Sequence, residues 1–304
     1  MGWRRMVYNA LNRRGVRFIL ATAATAYASA RARRPSWVFY HGAWVHRYSE
    51  GTIVEPELCL HNLSEIQEHV IDYFMHLYAP APGDIVVDIG AGTGWETLCF
   101  SRRVGPGGRV ISIEAHPPTF ACLEDMCRRN RLDNVVLMNY AVADSQSEFL
   151  ISDGAEHLAN SIVGNKSGIP VQGATLDQIV ISLDLPRVDF LKMNIEGAEL
   201  MAIAGMADVI RKTRYVCICC HDFVADRSGR EEVRSKATII AFLQRNGFDV
   251  IVRKSDPRGW IRDTVYGFNR SLNKAYLLTK GAASGMRGAM KRVTVSATLT
   301  GEGG

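Results

Sequence analysis

At 304 residues, 47% hydrophobic and 22% charged, the chain is long enough for one large buried core, and its composition is neither disordered nor membrane-embedded. Its net charge of +5 is segregated: residues 1–34 carry eight arginines and no acid, residues 253–304 carry ten Lys/Arg against three Asp/Glu, and the span between holds 28 acids against 18 bases. An acidic body argues against a nucleic-acid partner, and seven cysteines without framework spacing (59, 99, 122, 127, 217, 219 and 220) predict a reducing, cytoplasmic setting.

The first 34 residues predict a basic helix. Its apolar centre, residues 18–30, is too short to span a bilayer. A basic start, a short apolar stretch and Ala28-Ser29-Ala30 have the outline of a signal peptide, but alanine and threonine dominate the stretch and the thiol pattern favours the cytoplasm. Two readings stay open: the helix packs on the body or dangles from it, or its arginines make weak contact with an anionic membrane surface. Residues 36–54 are aromatic (Trp37, Phe39, Tyr40, Trp44, Tyr48) and predict short strands or a loop laid over the body. Residues 62–78 predict a helix capped by Asn62 or Ser64, with Ile66, Val70, Phe74 and Leu77 on one face; Pro80 and Pro82 end it.

Residues 84–98, DIVVDIGAGTGWETL, organise the rest. The run Ile85-Val86-Val87 predicts a strand buried on both faces. Gly90, Gly92 and Gly94 alternate after it, and Trp95 begins a helix. Strand, glycine turn and helix bring a nucleotide against bare backbone near a helix N-terminus; side chains in place of glycine would block the approach. The spacing is G-x-G-x-G, not the G-x-G-x-x-G of a dinucleotide site. Asp88 would repel a pyrophosphate but could hold, directly or through water, the amino end of a zwitterion. Twenty residues past Gly94, a second strand at 109–113 ends in Glu114, placed to accept both hydroxyls of a ribose.

Further along, His116-Pro117-Pro118 opens a helix that stops near Asn130, residues 135–138 form a third strand, and Ala141-Val142-Ala143-Asp144 follows. Residues 148–172 predict an irregular excursion over the active face, and Thr175 caps the next helix. Residues 188–193 form a fourth strand ending in Asn194-Ile195-Glu196-Gly197, with a helix from Ala198; residues 215–220 form a fifth, ending in His221-Asp222. A helix at 231–246 precedes strands at 248–252 and 275–279, with a polar loop between them, and the small, polar residues from 281 predict a disordered tail. The alternation gives an α/β fold, a doubly wound, seven-stranded, mostly parallel sheet whose last strand is a candidate for the antiparallel direction. The expected division is a basic N-terminal extension at 1–60, a body at 61–280 and a tail at 281–304.

The pattern D-x-G-x-G-x-G with a second-strand acid resembles the S-adenosylmethionine site of class I methyltransferases, and the order of pieces is similar to the FkbM family of these enzymes. The matching residues are DIGAGTGWETL (88–98), EAHPPTFACL (114–123), AVAD (141–144), TLDQIV (175–180) and FLKMNIEGAEL (190–200), of which the Lys-Met-x-Ile-Glu-Gly-Ala-Glu box is the most diagnostic. The resemblance implies a Rossmann-like fold and O-methylation of a hydroxyl on a sugar, glycan or other small metabolite. It implies S-adenosylmethionine as cofactor, held at Asp88, Gly90, Ala91, Gly92, Gly94, Glu114, Ala115 and Asp144. Asn194 stands where the family box usually has Asp; hard cations prefer carboxylate, so no metal is expected.

Ligands of α/β sheets sit beyond the carboxyl ends of the strands, which selects Asn194, Glu196 and His221 as catalytic candidates. His221 is the favoured base, because imidazole titrates near operating pH, with Asp222 to orient it. Glu196 is the rival, its alternative role being a first-turn carboxylate stabilised by the helix dipole. Cys217 and Cys219 alternate with His221 on one strand face and read as core thiols. The turn spacing disfavours an NAD(P)-dependent oxidoreductase, and the intact Asp88, glycines and Glu114 disfavour a non-catalytic cofactor-binding protein.

Overall fold

The computed structural model describes residues 8, 12–13, 15–154, 160–165 and 167–273; the strand expected at 275–279 and the tail from 281 lie outside them. A helix, α1 (Arg17–Ala32), is followed by β1 (Trp37–His41), β2 (Ala43–Tyr48) and β3 (Gly51–Glu55), which form an antiparallel sheet in that order. Side chains close both edges of this sheet. On β1, Thr25 Oγ1 accepts from Val38 N at 2.9 Å and donates to Val38 O, while Ser29 Oγ accepts from Ser36 N at 3.0 Å and donates to Ser36 O. The match is geometric: four helical residues and two strand residues each advance about 6 Å. On β3, the Asn130 side chain accepts from Thr52 N and donates to Thr52 O.

The body begins at α2 (Leu63–Tyr73), which Asn62 caps as expected; its side chain accepts from Glu65 N at 2.9 Å and Glu65 returns the bond to Asn62 N. The helix ends at Tyr73, short of 78, where the Tyr266 hydroxyl donates to the Tyr73 carbonyl. Then come β4 (Ile85–Ile89), α3 (Trp95–Val104), β5 (Arg109–Ile113), α4 (Pro117–Asn130) and β6 (Val135–Met138), close to their expected places. Next come β7 (Ala141–Val142), ahead of the excursion, and β8 (Glu148–Ile151) and β9 (Ile169–Ala174), which give the supposedly irregular stretch a strand at each end; they form a second small sheet in the order β7-β9-β8. After α5 (Leu176–Ser182) come β10 (Val188–Met193), α6 (Glu199–Ala204), β11 (Thr213–Cys219), α7 (Asp222–Ser228), α8 (Lys236–Arg245), β12 (Phe248–Val252), α9 (Gly259–Arg262) and β13 (Thr264–Asn269).

Among the described residues the main sheet has seven strands in the order β12-β13-β11-β10-β4-β5-β6, parallel except for β13, which runs antiparallel to both neighbours. Two expectations are corrected here. A strand at 264–269 lies inside the supposed polar loop; Gly267 masks it in sequence, and a Cβ there would press on Val216 and Phe248. The helix expected from 231 starts at Lys236, because Asp222 Oδ1 accepts from Ser235 N and Lys236 N and so caps it there. Alternation along the strands splits the core. Val86, Val110 and Phe190 face one side with Trp44, Leu98 and Leu123, while Val87, Ile111 and Leu191 face the other with Leu176, Ala202 and Ile239.

Candidate active site

Strand order reverses at β4, between β5 and β10, and the glycine turn leaves the sheet at that switch point. The turn is anchored from several sides. Gly90 N and Ala91 N both donate to Ile113 O, at 2.9 and 3.0 Å, and Gly92 N donates to Glu114 Oε2 at 2.9 Å. Below it, Lys192 is fully buried, with Nζ 2.7 Å from Gly90 O and 3.0 Å from Asp88 Oδ1. Burial opposes that charge, but the Asp88 and Glu96 carboxylates hold the Lys192 ammonium above its ordinary pKa. Asp88 also accepts from Thr97 Oγ1 at 3.0 Å. From the N-terminal sheet, Glu55 accepts from Thr93 Oγ1 at 2.8 Å and from Trp95 Nε1. Gly90 has a φ of +72°, and a Cβ on it would stand 1.9 Å from Asn194 O, so the tips of β4 and β10 meet there without side chains.

Above the turn lies a cleft, partly open to solvent and walled mainly by apolar groups, the kind of setting that small-molecule sites use. Gly90, Gly92, Glu114 and Ala115 line one part, Asn194, Ile195 and Glu196 another, and Ile113, Ile151 and Ile162 supply apolar wall. The excursion does cover this face, through Asn160, Ser161 and Ile162. Glu114 is 9% exposed, and each of its oxygens accepts a backbone N–H, Oε2 from Gly92 and Oε1 from His116. Burial raises its pKa above the ordinary carboxylate value, against those two donors. A carboxylate so fixed keeps lone pairs for two hydroxyls. Bare backbone at Gly92 (φ +56°), a fixed acid and apolar walls fit the nucleoside and amino-acid parts of S-adenosylmethionine.

On the far side of the cleft, Glu196 sits in the left-handed region with φ +51° and its side chain is 26% exposed. Its Oε2 lies 3.2 Å from His221 Nε2, and His221 Nδ1 lies 2.7 Å from Glu199 Oε1. Glu199 is fully buried and also accepts from Gly197 N at 3.0 Å and Ser235 Oγ at 3.1 Å. Burial works against charge on the imidazole, but the carboxylates of Glu199 and Glu196 raise the His221 pKa well above its ordinary value. A carboxylate at each ring nitrogen favours the charged form of His221, which is absent from the cleft lining.

Of the residues expected at the cofactor, Gly90, Gly92, Glu114 and Ala115 line the cleft. Asp88 does not: it is fully buried beneath the turn against Lys192 and Thr97. Ala91 is buried with its N–H committed to Ile113, and Gly94 packs under Leu123 and Met126. Asp144 is exposed and outside the lining, bonded to Ser145. Among the catalytic candidates, Asn194 and Glu196 line the cleft and His221 stands behind Glu196. Asp222, expected to orient His221, caps α8, and the orienting carboxylate is Glu199. Sequence reasoning gave no role to Lys192 and Glu199, both legible as charged residues of the 190–200 box, or to Glu55, which no motif marks.

The family profile described as "Methyltransferase FkbM domain" matches residues 88–250, more than half of the chain. Among curated relatives, the AMB antimetabolite synthetase AmbE of Pseudomonas aeruginosa is 25% identical over 214 residues, 57% of this chain and 10% of that one. The hexuronic acid methyltransferase AglP of Haloferax volcanii is 22% identical over 140 residues, 45% of this chain and 56% of that one. The chain thus spans about half or less of the length of these relatives. A solved FkbM methyltransferase from Methylobacillus flagellatus KT aligns over 64% of this chain and 45% of its own, at 19% identity and a TM-score of 0.45. By the extent of the profile match, which takes in the glycine turn, Glu114 and the Glu196–Glu199 box, the chain belongs to the FkbM family of S-adenosylmethionine-dependent methyltransferases.

Proposed function

We propose that this methyltransferase acts on a hydroxyl of a small acceptor, a sugar or glycan unit in the favoured class, and that Glu196 is the base. The observation that carries this reading is the Glu196 carboxylate, part-exposed in the cleft and steered by His221 from behind. S-adenosylmethionine, when bound, supplies an electrophilic methyl group on a sulfonium. Glu196 then accepts the hydroxyl proton as the acceptor oxygen is methylated, while His221, held by Glu199, which Ser235 braces in turn, keeps the carboxylate in one orientation. His221 is the poorer candidate, because it stands behind Glu196, outside the cleft lining, and the carboxylates around it favour its protonated form. The partial similarity to a hexuronic acid methyltransferase supports a sugar acceptor.

The test is transfer of labelled methyl groups to a panel of hydroxylated sugars by wild type and Glu196→Gln. The variant should lose turnover by about 10²–10⁴ while binding S-adenosylhomocysteine within about threefold of wild type, a difference under 1 kcal/mol. Full turnover in the variant would remove Glu196 from the role, and label on nitrogen or sulfur would remove the hydroxyl acceptor.

A further inference from the structure

We propose that Glu55 is a positioning residue of the cofactor site, locking the glycine turn from the N-terminal sheet through its bonds to Thr93 and Trp95. Glu55 closes β3, in register with Trp44 of β2, and is 3% exposed. One oxygen, Oε1, receives both the Thr93 hydroxyl and the Trp95 indole N–H. These donors flank Gly94, whose φ of +98° turns the chain into α3. The other anchors of the turn, Ile113 O, Glu114 and Lys192, all lie within the stretch shared with the family, 88–250; Glu55 does not.

A buried carboxylate is a costly way to fill space. Burial pushes the Glu55 carboxyl up to about 7, against the Thr93 and Trp95 bonds and with Glu96 adding to the rise. What the group supplies in return is one oxygen that accepts from two donors of the turn, of which Thr93 is 5% exposed. A turn held on this side keeps its backbone in the binding conformation before the cofactor arrives, which raises affinity by sparing the ordering cost. The sheet of β1–β3 is therefore part of the cofactor-binding unit.

The test uses the full chain with two substitutions. Glu55→Leu removes the acceptor, and Glu55→Gln keeps a carbonyl oxygen in its place. Glu55→Leu should weaken S-adenosylhomocysteine binding by calorimetry about tenfold and raise the S-adenosylmethionine KM to match, with kcat within about twofold. In the unliganded protein, amides 91–95 should exchange hydrogen about tenfold faster. Glu55→Gln should restore both readouts to within about threefold. A folded Glu55→Leu variant with unchanged affinity and unchanged exchange at the turn would overturn the proposal. Should that variant not fold, Thr93→Val and Trp95→Phe each remove one donor; weaker binding in both supports the role, and wild-type affinity in both overturns it.

Discussion

His221 carries a proton that its neighbours keep in place. Glu199 and Glu196 face its two nitrogens at 2.7 and 3.2 Å, and their pull outweighs burial, so its pKa rises in the folded chain. The contribution to stability is then complete below about pH 6.5, the unfolded value. It is lost as pH rises through the raised folded value. His221→Gln leaves Glu199 buried without its cation and should cost about 3 kcal/mol. Chemical denaturation at several pH values should show that gap widest near pH 6 and narrowing in alkali; a gap that grows with pH would contradict the charged imidazole. Sequence showed that a histidine follows the fifth strand. It could not show the charge favoured on that histidine, which Glu199 and Glu196 set from the helix after the fourth strand and its approach, around a positive-φ residue that no propensity announces.

At the scale of elements, the glycine turn was legible because its constraint is local. Three glycines at alternate positions can be seen in a line of text, and each has positive φ in the fold. Gly90 shows how strict that constraint is. Gly90→Ala would combine an unfavourable φ with a methyl 1.9 Å from Asn194 O, so β4 and β10 would have to part. The expected cost is about 2 kcal/mol or more, with a matching loss of S-adenosylhomocysteine affinity. A variant with wild-type melting temperature and affinity would show that the tips can separate freely. Elements fixed from a distance were less legible. The strand Thr264–Asn269 carries a glycine where a neighbour's side chains need room, and the start of α8 is set by Asp222, fourteen residues before Lys236 in the chain.

In the whole molecule, the boundary expected at residue 60 is not a gap in the core. Trp44, Val45, Ile53 and Val54 of the N-terminal sheet pack in one cluster with Leu98, Phe100, Leu123 and Met126 of the body. Glu55 and Asn130 add polar ties across the same seam. Composition could not reveal this, since the eight arginines that set the first 34 residues apart say nothing about the aromatic stretch behind them.

The hydroxyls of Thr25 and Ser29 have a consequence for solubility. They occupy the backbone groups of Ser36 and Val38 that a foreign strand would otherwise recruit, so α1 acts as a stopper on sheet growth. A chain beginning at Ser36 retains Glu55 and should still bind S-adenosylhomocysteine, yet its uncovered β1 becomes adhesive. Sedimentation velocity should find it associating more strongly with rising concentration than the full chain does, and equal behaviour of the two would mean that the helix guards nothing. Stronger association of the shortened chain would make α1 a chaperone in cis, needed by the molecule in a crowded solution and not by its chemistry.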